Sequence, residues 1–240
     1  MTPRTTSETI GVAELAAADR ERMFHLLDRY YLGVTREAFE RDLSAKQHVI
    51  LLRGGAGEVV GFSTLARFRL ALADREVVAL FSGDTIVSEQ HRGTFETARQ
   101  ICRNFRGTLA EFPGAEAYWV LICKGWRTYR VLRLFFEEYG PRESPPGPRG
   151  FAEIADAFGA AKYPGLYQPL SRLIVFPGEA PRIRPGSAEA IDRRRSDPDM
   201  LFFEKANPAH ERGDELVCVA PIREDNLTPA ARRLAGYAER

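Results

Sequence analysis

The sequence predicts a mixed α/β fold. Apolar segments of strand character lie at 48–53, 58–70, 75–88 and 117–124. Between them, segments with apolar residues at helical spacing lie at 17–32, 36–46, 93–109 and 126–140. With an opening strand the order to residue 140 is β-α-α-β-β-β-α-β-α. At 240 residues and 44% hydrophobic content the chain is long enough to bury a sizeable core.

Residues 9–15, TIGVAEL, are the candidate first strand. The segment 17–32 places Met23, Leu26, Leu27, Tyr30 and Tyr31 on one helical face, and Gly33 stops it. Thr35 is placed to cap a second helix, 36–46, that buries Phe39 and Leu43. HVILLR (48–53) and EVVGFSTLARFRL (58–70) pair as a hairpin across GGAG (54–57), and 75–88 gives a third, long strand. The next helix, 93–109, aligns Phe95, Ala98, Ile101, Cys102 and Phe105. AYWVLICK (117–124) is a near-continuous apolar run, suited to a strand covered on both faces. WRTYRVLRLFFEEYG (126–140) is an apolar helix ended by Gly140 and Pro141. PRESPPGPRG (141–150) reads as a linker. Beyond it, helices are expected at 151–162, 187–195, around DPDMLFFEKANP and at 228–239. A strand is expected at 213–222, a weaker one at 171–176, and a loop at 177–186.

Lys+Arg 34 against Asp+Glu 33 points to neither a nucleic-acid nor a membrane surface. No apolar run reaches the roughly 20 residues of a bilayer span, and MTPRTTSETIGV has no apolar h-region. Cys102, Cys123 and Cys218 form no CxxC pair and read as reduced, buried thiols of a cytoplasmic protein. His25, His48, His91 and His210 match no metal-ligand spacing, so no metal site is expected. GFSTL is not a GxSxG elbow, and no GxxxxGK[ST] or GxGxxG occurs. RRR at 193–195, beside Asp192 and Asp197, reads as solvated surface.

GDTIVSEQHRGTFETARQI, 83–101, runs from a strand through a polar turn into a helix. A helix start offers unpaired N–H groups and a dipole that favours an anion. Gly93 permits close approach, and Arg92 or His91 adds charge. The same residues also read as an ordinary turn with a solvated arginine.

The element order, together with QHRGTF after the 75–88 strand and FERDLSAKQHVILLRGGAGEVVGFSTL (39–65), resembles the GCN5-related N-acetyltransferase superfamily over about residues 9–140. The resemblance implies that a Q/R-x-x-G-x-G/A turn holds the pyrophosphate of acetyl-CoA or another acyl-CoA. Gln90 and Gly93 stand in register, with Ile86, Val87, His91, Arg92, Thr94 and Phe95 around them. Phe95 replaces the second glycine, Phe136 stands where members often carry a tyrosine acid, and Gly125 and Trp126 stand where an Asn is common. Ala79 stands where some carry a glutamate base. Asp84 is the candidate base, placed by strand alternation with Ser82 and Ile86, or else the mark of a bulge beside Gly83. Tyr129, seven residues before Phe136, is the candidate acid, or else a core tyrosine. Arg127, Arg130 and Arg133 either meet a CoA phosphate or form a solvated face.

These expectations describe an acyl-CoA-binding core at 1–140 and an extension at 141–240 that completes the sheet and covers the cleft. NPAHERGDELVCVAPI supplies the last strand, or else a lid or homodimer contact. The implied activity is a transferase: N-acylation, as by acetyl-CoA, of a small amine or amino-acid-like acceptor by direct transfer. The rivals are a scaffold that keeps the fold without the chemistry, and an enzyme using the cleft for another thioester or for no CoA.

Overall fold

The computed structural model describes residues 4–143, 147, 150–178, 181–184 and 197–238. Its elements in order are β1 (Thr6–Gly11), α1 (Ala17–Tyr30), β2 (Tyr31–Leu32), α2 (Arg36–Ser44), β3 (His48–Arg53), β4 (Val59–Ala71), β5 (Glu76–Val87), α3 (Glu96–Glu111), β6 (Ala117–Cys123) and α4 (Trp126–Phe135). Then follow α5 (Phe151–Lys162), β7 (Tyr167–Gln168), β8 (Leu173–Ile174), β9 (Arg182–Ile183), α6 (Pro198–Ala206), β10 (Glu215–Pro221) and α7 (Pro229–Ala235). The fold is mixed α/β. Eight strands form one sheet in the order β1-β3-β4-β5-β6-β10-β8-β7, and β2 pairs separately with β9. Every neighbouring pair in the large sheet is antiparallel except β5 and β6.

Strand alternation divides the core. On one face Val78, Leu80, Trp119, Leu121, Leu216 and Cys218 meet α3, α4, α6 and α7. On the other, Val77, Ala79, Phe81, Val120, Val217 and Val219 meet Ile154, Ala155 and Phe158 of α5. Farther along that face Val49, Leu51, Phe62 and Ile86 meet Met23, Leu26 and Leu27 of α1 with Phe39 and Leu43 of α2. Apolar residues cover both faces of β6, which accounts for its continuous apolar run. Among the described residues no helix is long and apolar enough to cross a membrane.

Several boundaries differ from those the sequence predicts. The first strand is Thr6–Gly11, not 9–15, and Val12–Glu14 form a 3₁₀ turn. β1 is an edge strand, so its buried face is partial and its polar residues hide the alternation. Ser7 and Thr9 instead hydrogen-bond Glu96 and Gln100 of α3. α1 ends at Tyr30 because Tyr31 and Leu32 turn extended to pair with β9. α3 begins at Glu96, three residues after Gly93.

α4 ends at Phe135. Phe136 is extended, bridges Leu227, and stacks its ring 5.1 Å from Phe105 and 5.8 Å from Trp119. It therefore does not share a helix face with Tyr129. Only Leu173–Ile174 of 171–176 form a strand, and α7 is Pro229–Ala235. The helix expected at 187–195 and RRR at 193–195 lie outside the described residues, as do parts of 141–150 and 177–186.

The C-terminal segments are tied to the core by backbone. β10 lies antiparallel to β6 from Leu216/Cys123 to Pro221/Tyr118, and Gly140 bridges Val219. Asn226, 1% exposed, holds the chain after α4 to the chain after β10. Its carbonyl accepts from the Glu138 amide at 2.7 Å, and its amide donates to Glu138 O and Pro221 O at 3.0 and 2.8 Å. Asn226→Ala leaves these groups buried without a partner. Urea unfolding is expected to show a loss of about 1–3 kcal/mol.

Candidate functional site

β5 and β6 run side by side from Val78/Ala117 to Ser82/Leu121 and then part. β5 continues with β4 to Val87, while β6 continues with β10 to Cys123. A cavity opens on each face of the sheet around this gap. The first, about 380 Å³, lies among the end of β5, the turn before α3 and the start of α4. Ile86, Val87, Arg92, Gly93, Thr94, Thr97 and Arg127 are among its lining residues. The second, about 510 Å³, lies among α2, the bulged part of β5, the end of α5 and β10. Tyr31, Thr85 and Thr128 line both. Both volumes fall in the range of small-molecule sites, and the shared residues make the cavities neighbours.

A β-bulge decides which side chain faces which cavity. Ser63 pairs with Thr85 and Leu65 with Ser82, so Gly83 and Asp84 together oppose Thr64. Ser82 and Thr85 lie on the α3/α4 face, where the Ser82 hydroxyl accepts from Trp119 Nε1 at 2.7 Å and Thr85 bonds the Ser63 hydroxyl at 2.7 Å. Asp84 and the Ile86 side chain lie on the opposite face, although Ile86 also borders the first cavity. Of the two sequence readings of Asp84, regular alternation with Ser82 or a bulge beside Gly83, the structure has the bulge, which separates Asp84 from Ser82 and places it at the second cavity. Gly83 is required here, because a Cβ would collide with Thr64 Oγ1 and Lys46 Cε.

The turn at the first cavity keeps backbone donors open. The Arg92 and Thr94 amides bond back to Glu89 and His91, and the Glu96 amide bonds the Thr94 hydroxyl. Among the described residues no acceptor faces the Gly93 or Phe95 amide. Gly93 is at φ +90°, a region that suits glycine. Arg92 stacks 5.2 Å over the Tyr30 ring, and the Tyr30 hydroxyl accepts from the Glu89 amide at 2.9 Å. Arg92 Nη1 and Thr97 Oγ1 are buried without a hydrogen-bond partner. Unsatisfied donors beside a helix start suit an anionic ligand.

The second cavity gathers charge. Lys46 on its wall pairs with Asp42, and Lys124 pairs with Glu215 at 3.0 Å and donates to Pro181 O at 2.6 Å. Burial pushes the Asp84 carboxyl up to about 6, with Asp42 adding to the rise and Lys46 and Lys124 opposing it. Burial, then the nearby Lys46 charge, lowers the Lys162 ammonium. Burial also raises the Tyr163 phenol.

The remaining sequence candidates fall in different places. Ile86, Val87, Arg92, Gly93 and Thr94 meet at the first cavity. Gln90 is exposed away from it, and Phe95 projects into solvent, 71% exposed. The His91 ring is buried within the turn, where Nδ1 bonds Ser88 Oγ at 2.7 Å. Tyr129 lines neither cavity: its hydroxyl donates to Pro141 O at 2.7 Å, and its ring packs against Phe202 and Phe203. Arg130 and Arg133 reach Asp197 and Asp199 on and beside α6, and only Arg127 of the three lines the cavity. Lys46, Lys124, Lys162, Glu215, Tyr31 and Thr128 escaped the sequence reading. One signal was present: the chain has only four lysines among its 34 basic residues.

No protein-family model and no curated protein matches the chain. Solved structures do match it in part. The chain is similar to a conserved protein of Enterococcus faecalis described as a probable N-acyltransferase, at 15% identity over 57% of this chain and 33% of that one, TM-score 0.41. It is similar to a GNAT-family N-acetyltransferase of Escherichia coli in complex with CoA, at 17% identity over 56% and 71%, TM-score 0.39. It is also similar to glucosamine-6-phosphate N-acetyltransferase of Arabidopsis thaliana, at 16% identity over 53% and 88%, TM-score 0.38. The chain spans about a third of the length of the first of these.

The raised Asp84 pKa sets a stability signature. The folded state holds this proton more tightly than the unfolded chain, so the site costs stability as pH rises from about 4 through 6. Asp84→Asn is expected to stabilise the protein at pH 7–8 by up to ~3 kcal/mol, with the gain gone near pH 4. Melting temperatures of both proteins across that range check it.

Proposed function

We propose that the protein is a divergent member of the GCN5-related N-acetyltransferase superfamily. In this reading it transfers an acyl group from acyl-CoA to the amine of a small acceptor. The observation that carries this is the gap between β5 and β6: a phosphate-ready turn borders it on one face and an elevated-pKa carboxylate on the other. The unpartnered Arg92 Nη1 and the open Gly93 and Phe95 amides fit a pyrophosphate. The Phe95 side chain, turned to solvent, leaves its own amide free, so the missing second glycine does not close the cradle.

Bound acyl-CoA supplies an activated thioester. The protein's part is positioning and proton handling. Arg92, Gly93 and the α3 start hold the phosphates, and Ile86 and Val87 border the arm. Asp84 takes the proton of the acceptor amine from the second cavity. Tyr31 and Thr128, which line both cavities, are the hydroxyl-bearing residues from which the departing sulfur can take a proton. Direct transfer fits the thiols: Cys102 is pushed up to about 12 and Cys123 well above its ordinary value by burial, so neither is a ready nucleophile. One observation favours the scaffold rival. Tyr129, the phenol that the sequence offered as acid, is committed to Pro141 O.

Calorimetric titration with acetyl-CoA separates the two classes. Wild type is expected to bind, and Gly93→Val to bind at least tenfold more weakly, because valine is strained at φ +90° and crowds the cradle. Equal affinities would remove the turn as the phosphate site, and no heat at millimolar acetyl-CoA would remove the CoA reading. Where transfer occurs, kcat/KM is expected to fall tenfold per pH unit below about 6 as Asp84 takes up its proton. Asp84→Asn is expected to abolish that limb along with most of the rate.

A further inference from the structure

The chain carries four lysines, Lys46, Lys124, Lys162 and Lys205, against 30 arginines. Three of the four line the second cavity, from three separate parts of the sequence. Arginine serves nearly everywhere else, so the ammonium is concentrated where a compact charge with three rotatable donors fits.

The three are not equivalent. Lys46 is held by the Asp42 carboxylate and donates to Asp42 O at 3.3 Å, and its side chain is 1% exposed. Lys124 is held by Glu215 and Pro181 O. Lys162 has neither a carboxylate nor a hydrogen-bond partner among the described residues. Its Nζ lies 6.0 Å from the Phe81 ring centroid, and Lys46 Nζ lies 5.4 Å from the same ring. The Lys46 ammonium close by opposes the Lys162 charge, and the Asp42 carboxylate that offsets part of this is already paired with Lys46, so Lys162 stands at the cavity wall without a direct anionic partner. Its place on the last turn of α5 suits a cation but supplies it no side-chain partner.

We propose that the second cavity recognises an amine that also carries an anionic group, a carboxylate or a phosphate monoester, with Lys162 holding the anion while Asp84 faces the amine. This rests on the acceptor side of the reading above and deepens it. The two charges of such a molecule match Asp84 and Lys162, which make no direct ion pair among the described residues. A ligand with an amine alone satisfies Asp84 and leaves Lys162 unpaired.

Calorimetric titration of the full chain without CoA tests this with matched amines. Each standard amino acid is compared with its decarboxylated amine, and O-phosphoethanolamine with ethanolamine. At least one anionic member is expected to bind about ten- to a hundredfold more tightly than its partner, the range of one charged hydrogen bond. The pair that shows it identifies carboxylate or phosphate. Lys162→Met is expected to erase the difference while the melting temperature stays within a few degrees. No preference in any pair, or a preference that Lys162→Met leaves intact, overturns the proposal. Because CoA is absent, failure of acyl transfer shows separately, as no thiol release from acetyl-CoA with any of these amines.

Discussion

The structure depends on the parting of two parallel strands. While β5 and β6 are paired, their backbone groups satisfy each other; after Ser82 and Leu121 they diverge, and the space must be filled by side chains or ligand. The divergence is internal to the sheet, because β10 covers the far side of β6 and carries the sheet on to β7. The gap is therefore a slot framed by backbone on both sides and not an open edge. The bulge at Gly83 and Asp84 sits at the branch point and turns one strand's polar residues toward opposite faces. One extra residue in β5 separates the side with the open turn amides from the side that holds the Asp84 carboxyl.

Packing keeps this branch point rigid. Phe81 and Phe158 hold α5 against one face, and Trp119, Phe105 and Phe136 lock α3 to the other, with ring centroids between 5.1 and 5.8 Å apart in the latter trio. The aromatic residues around α4 thus build the wall behind the first cavity. Tyr129 packs on the far side of α4, against Tyr139, Phe202 and Phe203. Charge compensation does the corresponding work in the second cavity, where Asp42 and Glu215 neutralise Lys46 and Lys124 and leave Asp84 poised between opposing fields.

The central part of the fold was legible in the sequence because its signals are local. HVILLR and AYWVLICK read as buried strands since both faces are covered, and the capping Thr35 marks α2 through the hydrogen bond its hydroxyl accepts from the Ala38 amide. The misreadings have non-local causes. β1 is polar because only one neighbour pairs with it, and Phe136 leaves the helix because Phe105, Trp119 and Leu227 give it a better place. For Asp84 the sequence left two readings open, regular alternation or a bulge beside Gly83, and only the pairing with Thr64 selects the bulge. The turn at 90–95 stood out from its glycine and its strand-to-helix context. The charged cavity did not, because Lys46, Lys124, Lys162 and Glu215 are dispersed over 170 positions of the sequence and meet only through α5 and β10.

That dispersion has a consequence in time. Lys124 emerges from the ribosome long before Glu215, its partner, and β6 long before β10. The nascent chain holds one edge of its central strand unpaired, and the Lys124 ammonium without its carboxylate, until residues 215–221 have been made. Distant pairings of this kind form late and slowly. The first cavity needs only residues up to about 131 and Ile183, whereas the second waits for the last strand of the sheet. The two cavities are thus completed in sequence during synthesis, the one at the turn before α3 first and the one lined by the three lysines last.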